Sequence, residues 1–184
     1  EQLPGLQPGQ IISEPARRNT APCITYAAYK IAASNSKAIM IVAPSDHLVL
    51  KEDKFTRVTK AAMKAASTND ILLTLGIKPS RPDTGYGYIQ SNEHQYLEGS
   101  RLIRKVKTFT EKPNLDMAKF FLQSGDFYWN SGIFVWGVQN YLKAIDKYLP
   151  EVNALFKAGK DKYNTPKEEE FVKKTYTVCT NISI

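Results

Sequence analysis

The sequence predicts an α/β fold with a mainly parallel, mixed sheet, and three observations carry that expectation. Ala38 to Ala43 (AIMIVA) is an unbroken apolar run of strand length, the pattern of a strand buried on both faces. Ile71 to Ile77 (ILLTLGI) repeats it. Around them lie segments with apolar residues at helical spacing, so helix and strand alternate as they do where crossover helices wind a sheet.

Each element has its own reason. Gln10 to Ser13 reads as a short extended segment closed by Glu14-Pro15. Asn19 or Thr20 can cap a helix with Pro22 in its first turn, running to about Ala33 with Ile24, Ala27, Ala28 and Ile31 on one face. After the first strand, Pro44-Ser45-Asp46-His47 breaks the run. Lys54 to Ala66 is amphipathic, with Phe55, Val58, Ala62 and Ala65 on one side. The second strand leads into a loop rich in proline and glycine through Gly87. Tyr88 to Gln90 and Arg101 to Thr110 read as strands, the latter with Ile103, Val106 and Phe109. Asn114 can cap a helix over Leu115 to Gln123, and Gly132 to Val138 is a further strand. Tyr141 to Tyr148, Glu151 to Lys160 and the charged stretch Lys167 to Lys174 read as helices.

Composition narrows the class. The 184 residues suit a single domain with a sizeable core, and 42% hydrophobic with 23% charged residues is ordinary for a globular protein. No apolar run approaches the ~20 residues of a membrane-spanning helix, and the polar start Glu1 to Gln10 does not resemble a signal peptide. Cys23 and Cys179 make no disulfide framework, which points to a reducing, cytoplasmic setting. The net charge of +7 is spread over every segment rather than gathered in a block. It therefore argues for anionic small molecules rather than nucleic acid. The start in a loop and the β-like run Asn181 to Ile184 lead us to expect one domain, residues 1–184, truncated at both ends.

In open α/β sheets ligands bind beyond the carboxyl ends of the strands, so the segments following strands carry the chemistry. Asp46 after the first strand can hold a hard cation, which takes one or two carboxylates and fills its shell with phosphate oxygens and water; it can equally cap a turn. In Arg81-Pro82-Asp83-Thr84-Gly85-Tyr86-Gly87-Tyr88, the glycines let backbone approach a ligand closely, or simply make a tight turn. Glu111 and Lys112, held by Pro113, can accept from sugar hydroxyls and neutralise a phosphate, or form a surface ion pair. Asn130 offers a donor and an acceptor to a sugar, or a turn-forming Asn-Ser-Gly. Arg18, Asn19 and Thr20 precede a helix N-terminus, which favours anions, though as a cap they are unremarkable.

Taken in order, EPARRNTAPC, APSDHL, GIKPSRPDTGYGYI, FTEKP and WNSGIFVW resemble the bacterial-type mannose-1-phosphate guanylyltransferases (GDP-mannose pyrophosphorylases), within the sugar-phosphate nucleotidyltransferases. The resemblance runs from about Glu1 to Ile184, and RNTAP separates this branch most clearly from relatives that transfer other nucleotides. It implies a Rossmann-like nucleotidyltransferase (GT-A-like) fold. The implied reaction is GTP with mannose 1-phosphate, giving GDP-mannose and pyrophosphate by in-line attack with Mg²⁺. It further implies Asp46 as magnesium ligand, Gly85 as backbone contact to the sugar, Glu111 and Asn130 as mannose contacts, and Lys112 as the phosphate-binding, catalytic lysine. Arg18, Asn19 and Thr20 fall near the nucleotide.

Arg17 stands where many relatives carry Gly, and Asp83 where many carry Glu. The family's glycine-rich phosphate loop is expected upstream of Glu1, and its second metal-binding Asp at or just beyond Ile184, so this fragment by itself is expected to be inactive. Two rival expectations follow: a relative with another base or sugar, and a nucleotide-sugar-binding regulatory module without catalysis. The sequence leaves homo-oligomerisation open.

Overall fold

The computed structural model describes residues 4–100 and 102–184. The loop start at Glu1 and the strand start at Arg101 lie outside the described residues. After a 3-10 turn at Pro8–Gln10, the order is α1 (Thr20–Ser34), β1 (Ile39–Val42), α2 (Glu52–Thr68), β2 (Leu72–Ile77), β3 (Tyr88–Tyr96) and β4 (Arg104–Thr110). Then come α3 (Leu115–Ser124), β5 (Phe127–Gly137), α4 (Val138–Tyr148), α5 (Pro150–Lys157) and α6 (Glu168–Val178). The chain divides into two units, Ile39–Trp136 and the pair of segments Glu1–Ala38 and Gly137–Ile184.

The first unit holds the sheet. Its order is β1-β5-β3-β4, with β2 also paired to β5. The pairings of β2 with β5, β3 with β5 and β3 with β4 are all antiparallel. The α/β class stands, but the expectation of a mainly parallel sheet is corrected. Residues 97–103 between β3 and β4 are too few for the crossover of a dozen or more that a parallel neighbour needs. Apolar run length had suggested strands covered on both faces, yet Ile41 and Leu72 stand 42% and 50% exposed. Length marks a strand; it does not count the layers packed on it. One layer is α2, whose Ala62 and Ala66 close on Val135, with Ile39, Leu73 and Leu75 around them. A second cluster, Tyr88, Ala118, Phe121, Phe127 and Trp129, seats α3 beside the strand ends. Asn114 caps α3 as expected, its side chain accepting from Met117 N–H at 2.9 Å.

The second unit is helical. In α1 the buried face includes Ile24 and Ala28 but also Tyr26 and Tyr29, in place of the expected Ala27 and Ile31. The tyrosines can go inward because their hydroxyls find partners: Tyr26 donates to Glu168 and Tyr29 to Asn153. They join Val152, Phe156, Tyr163, Val172, Tyr176 and Cys179 in one core. Glu168 is a hub there, accepting 2.7 Å bonds from Lys30 on both oxygens and one at 2.6 Å from Asn164 N–H. The terminal stretch lies extended beside the start of α1: Ala21 N–H donates to the Ile182 carbonyl (3.1 Å) and Ile182 N–H to the Arg18 carbonyl (3.2 Å). The β-like run at Asn181 to Ile184 thus finds a backbone partner without becoming a sheet strand.

Candidate functional site

Sheet register builds the site. Tyr88 is opposite Thr110 on β4 and opposite Trp129 on β5. One residue along, Gly87 therefore lies between Glu111 and Asn130, and directly opposed residues share a face of the sheet. Two distances bear this out. Asn130 N–H donates to the Gly87 carbonyl at 2.7 Å, and a Cβ on Gly87 would stand 2.6 Å from Glu111 Oε2 and 3.0 Å from Phe109 Cζ. Gly87 is buried in that row, and the space its side chain would take is filled by Glu111 and Phe109.

The loop before β3 is fixed by local polar bonds. Asp83 Oδ1 accepts from Gly85 N–H at 2.8 Å, an Asx turn. Its other oxygen accepts from Arg81 at 2.7 Å. The Gly85 N–H bond and then the Arg81 contacts hold the Asp83 carboxyl below the usual carboxylate range. The Tyr88 hydroxyl bridges the turn, accepting from Asp83 N–H (3.1 Å) and donating to the Asp83 carbonyl (2.9 Å). Arg81 lies over the Trp129 ring at 5.3 Å, and Tyr86 packs on the same ring at 5.0 Å. Gly85 is thus presented by a turn that is already formed.

On the other side of the row, Glu111 and Lys112 make an open ion pair at 3.8 Å, with 59% and 67% of their side chains exposed. In water such a pair is weak, so both groups stay free for a ligand. Lys112 sits at φ 41°, in the left-handed region that non-glycine residues enter at a cost. At Asn130 the strand bulges: register passes from Thr74↔Phe134 to Gly76↔Asn130, and β5 takes up extra residues over that stretch. Gly132, at φ 70°, permits the turn. A Cβ there would lie 3.4 Å from Pro44 Cγ, which brings the loop after β1 against the bulge. Asp46 lies two residues further along that loop, exposed, its carboxylate without a hydrogen-bond or ion-pair partner among the described residues.

The Asp46 loop, Gly85, Glu111, Lys112 and Asn130 are therefore linked through one continuous set of contacts in one unit. Arg18, Asn19 and Thr20 belong to the other unit. Arg18 donates from Nε to the Tyr176 carbonyl (2.9 Å) and from Nη2 to the Thr177 carbonyl (3.4 Å), closing the end of α6. Asn19 caps α1 from a backbone at φ 65°, ψ −169°, a region nearly confined to glycine. Thr20 Oγ1 accepts from Ile184 N–H at 3.0 Å. Sequence reasoning missed Gly87 as a spacer, Asp83 and Tyr88 as the turn's fasteners, and Thr74, which donates to Asn130 Oδ1 at 2.8 Å.

The family model for nucleotidyl transferases matches residues 7–173. The chain belongs to the nucleotidyl transferase family. Within the family it is 41% identical to a mannose-1-phosphate guanylyltransferase of Escherichia coli over 118 residues, 63% of this chain and 25% of that protein. It is 38% identical to the xanthan biosynthesis protein XanB of Xanthomonas campestris pv. campestris over 122 residues, 66% of this chain and 25% of that one. The chain thus spans about a quarter of the length of these curated relatives. Among solved structures, a mannose-1-phosphate geranyltransferase from Thermus thermophilus shares the fold at TM-score 0.79 and 24% identity, covering 94% of this chain and 47% of that one. A mannose-6-phosphate isomerase from Helicobacter pylori superposes at TM-score 0.73 and 29% identity, covering 93% and 64%.

Proposed function

We propose that the chain is the sugar-phosphate side of a mannose-1-phosphate guanylyltransferase, an enzyme making GDP-mannose and pyrophosphate from GTP and mannose 1-phosphate. The observation that carries the reading is the row Glu111–Gly87–Asn130. A carboxylate and an amide stand on either side of a glycine on one face, with Glu111 and Phe109 filling the space its side chain would take, a pairing of acceptor and amide suited to a polyhydroxylated ring. A sugar-phosphate oxygen attacks the α-phosphorus of GTP in line. The new oxygen–phosphorus bond forms as the bond to the β-phosphate oxygen breaks, and pyrophosphate leaves with the electron pair. Lys112 neutralises the sugar phosphate, Glu111 and Asn130 orient the mannose hydroxyls, and Gly85 offers backbone to the ring. Positioning and charge neutralisation supply the acceleration.

The donor set fits Mg²⁺. Among the described residues no group of three or more His, Cys, Asp or Glu is gathered as a cage, and Mg²⁺ is ordinarily held by one or two carboxylates with phosphates and water completing the shell. Asp46, open and unpaired, would hold it, and the ion when bound supplies charge compensation to the phosphates. Asn19 and Thr20 are read as facing the nucleotide, with Arg18 fixing their course through α6. A cytoplasmic setting is supported by Cys23 and Cys179, both free thiols. No helix among the described residues is long and apolar enough to cross a membrane.

The test is a thermal-shift panel on this chain with magnesium, comparing GDP-mannose, UDP-glucose, ADP-glucose and GDP. A ligand that binds only the folded chain raises its stability by ~2.7 kcal/mol at a hundred times its dissociation constant. We expect the largest shift with GDP-mannose, and its magnesium dependence to vanish in Asp46→Ala. A larger shift with another nucleotide sugar would assign a different substrate, and a magnesium response retained in Asp46→Ala would remove the metal role.

A further inference from the structure

The bulge in β5 settles which end of the Asn130 amide a ligand meets. Gly132 N–H can only donate, so the Asn130 atom 3.3 Å from it is the carbonyl oxygen. Thr74 Oγ1 lies 2.8 Å from that oxygen and donates to it, sharing its proton with the Ile133 carbonyl at 3.2 Å. Both lone pairs of the amide oxygen are then engaged, one by a backbone N–H and one by a hydroxyl. The amide nitrogen meets no acceptor among the described residues, and the residue is only partly buried. An unrestrained asparagine shows a ligand a donor or an acceptor by turning over; this one is held with its oxygen engaged and its NH₂ left as the open end.

We infer that Thr74 is a positioning residue that locks Asn130 as a hydrogen-bond donor toward the sugar portion of the ligand. The position then selects an accepting oxygen with its own proton directed elsewhere, and Glu111, on the other side of Gly87 in the same row, is the complementary acceptor. A donor held in one orientation beside an acceptor reads the direction of sugar hydroxyls, not merely their presence. Thr74 does this from β2, one strand away from the ligand. The identity of the ligand rests on the nucleotide-sugar reading above; the locking does not.

The experiment uses ¹⁵N-labelled chain, with the Asn130 side-chain NH₂ signals identified by their loss in Asn130→Asp. In the unchanged chain we expect order parameters near those of rigid backbone, ~0.85, falling toward those of a flexible group, below ~0.6, in Thr74→Val. Thr74→Ser, which keeps the hydroxyl, restores them. Valine matches the shape of threonine; should it not fold, Thr74→Ala gives the same comparison. Equal order parameters in the hydroxyl-free variant would overturn the inference. On binding, the hydroxyl-free variant weakens GDP-mannose about tenfold, the scale of one lost preset hydrogen bond, leaves GDP unchanged, and adds nothing in an Asn130→Ala background. An equal loss for GDP would overturn the assignment to the sugar. If the unchanged chain ignores GDP-mannose, the functional reading fails, and the amide measurement still decides the role of Thr74.

Discussion

Gly87→Ala separates function from folding at the centre of the row. The added Cβ would lie 2.6 Å from Glu111 Oε2 and 3.0 Å from Phe109 Cζ. To regain an ordinary separation of ~3.5–4.0 Å, the carboxylate must retreat by about 1 Å. It can do so cheaply, being 59% exposed, and Phe109 is likewise half open to solvent. Moving the two side chains off their preferred rotamers costs ~0.5–1.5 kcal/mol each at most. Against that, removing a glycine at a position outside the left-handed region narrows the unfolded ensemble, a gain of ~0.4–1 kcal/mol. The two shifts together cost ~1–3 kcal/mol against that gain, so the variant should lose no more than about 2.5 kcal/mol by urea denaturation. Losing one hydrogen bond to a charged acceptor, in contrast, costs ~1.5–3 kcal/mol of binding, about ten- to a hundredfold in affinity. Titration calorimetry with GDP-mannose should show a loss between tenfold and a hundredfold in a chain that still folds cooperatively. Unaltered affinity would refute the argument, because Glu111 would then be displaced without consequence and could not be a contact.

At Lys112, φ 41° stores strain that glycine releases. Lys112→Gly should be more stable than Lys112→Ala by up to about 1 kcal/mol in urea denaturation, while both bind mannose 1-phosphate more weakly; a less stable glycine variant would mean the backbone is unstrained. At Glu168, burial pushes the carboxyl up, but bonds from Lys30, Tyr26 and Asn164 N–H outweigh it and hold it below its ordinary value. Its contribution is thus complete above the unfolded carboxylate value of ~4.3 and is lost as pH falls through the folded one. Below about pH 5 the chain should lose stability more steeply than Glu168→Gln does. At neutral pH that variant should be less stable by roughly 2–3 kcal/mol, under the ~3–5 of a fully buried pair because Lys30 keeps some solvent. Parallel pH profiles would show that another group governs the acid limb.

Most elements were legible because their signals are local. Asn19 and Asn114 cap helices by reaching backbone one to three residues away, and Phe55 to Ala65 need only a period to reveal a face. Sheet direction was not legible, since AIMIVA and ILLTLGI describe strands without saying which neighbours they take. Asn130 shows the same division. Asn-Ser-Gly was readable either as a turn or as a sugar contact, and the structure makes the turn real while engaging only the amide oxygen. The two readings are compatible, since the turn engages only the amide oxygen. Thr74 lay beyond sequence reasoning because its target is 56 positions away, across a bulge no periodicity announces.

Single motifs here are weak because each is an ordinary loop or strand end, and their joint meaning comes from register. Glu111 follows Thr110, Gly87 precedes Tyr88 and Asn130 follows Trp129, and the three strand residues Thr110, Tyr88 and Trp129 stand side by side. An antiparallel arrangement makes this alignment possible. It puts the end of β4 and the start of β3 at the same edge, so a departing acid and an arriving glycine meet there. With β3 running parallel to β4, the two segments would lie at opposite ends of the sheet. The correction to the expected sheet is therefore a requirement of the site rather than a detail of the fold. It also locates the tolerance of the scaffold: exposed residues of β4 such as Val106 can vary freely. A one-residue slip between β3 and either neighbour would turn Glu111 or Asn130 to the opposite face.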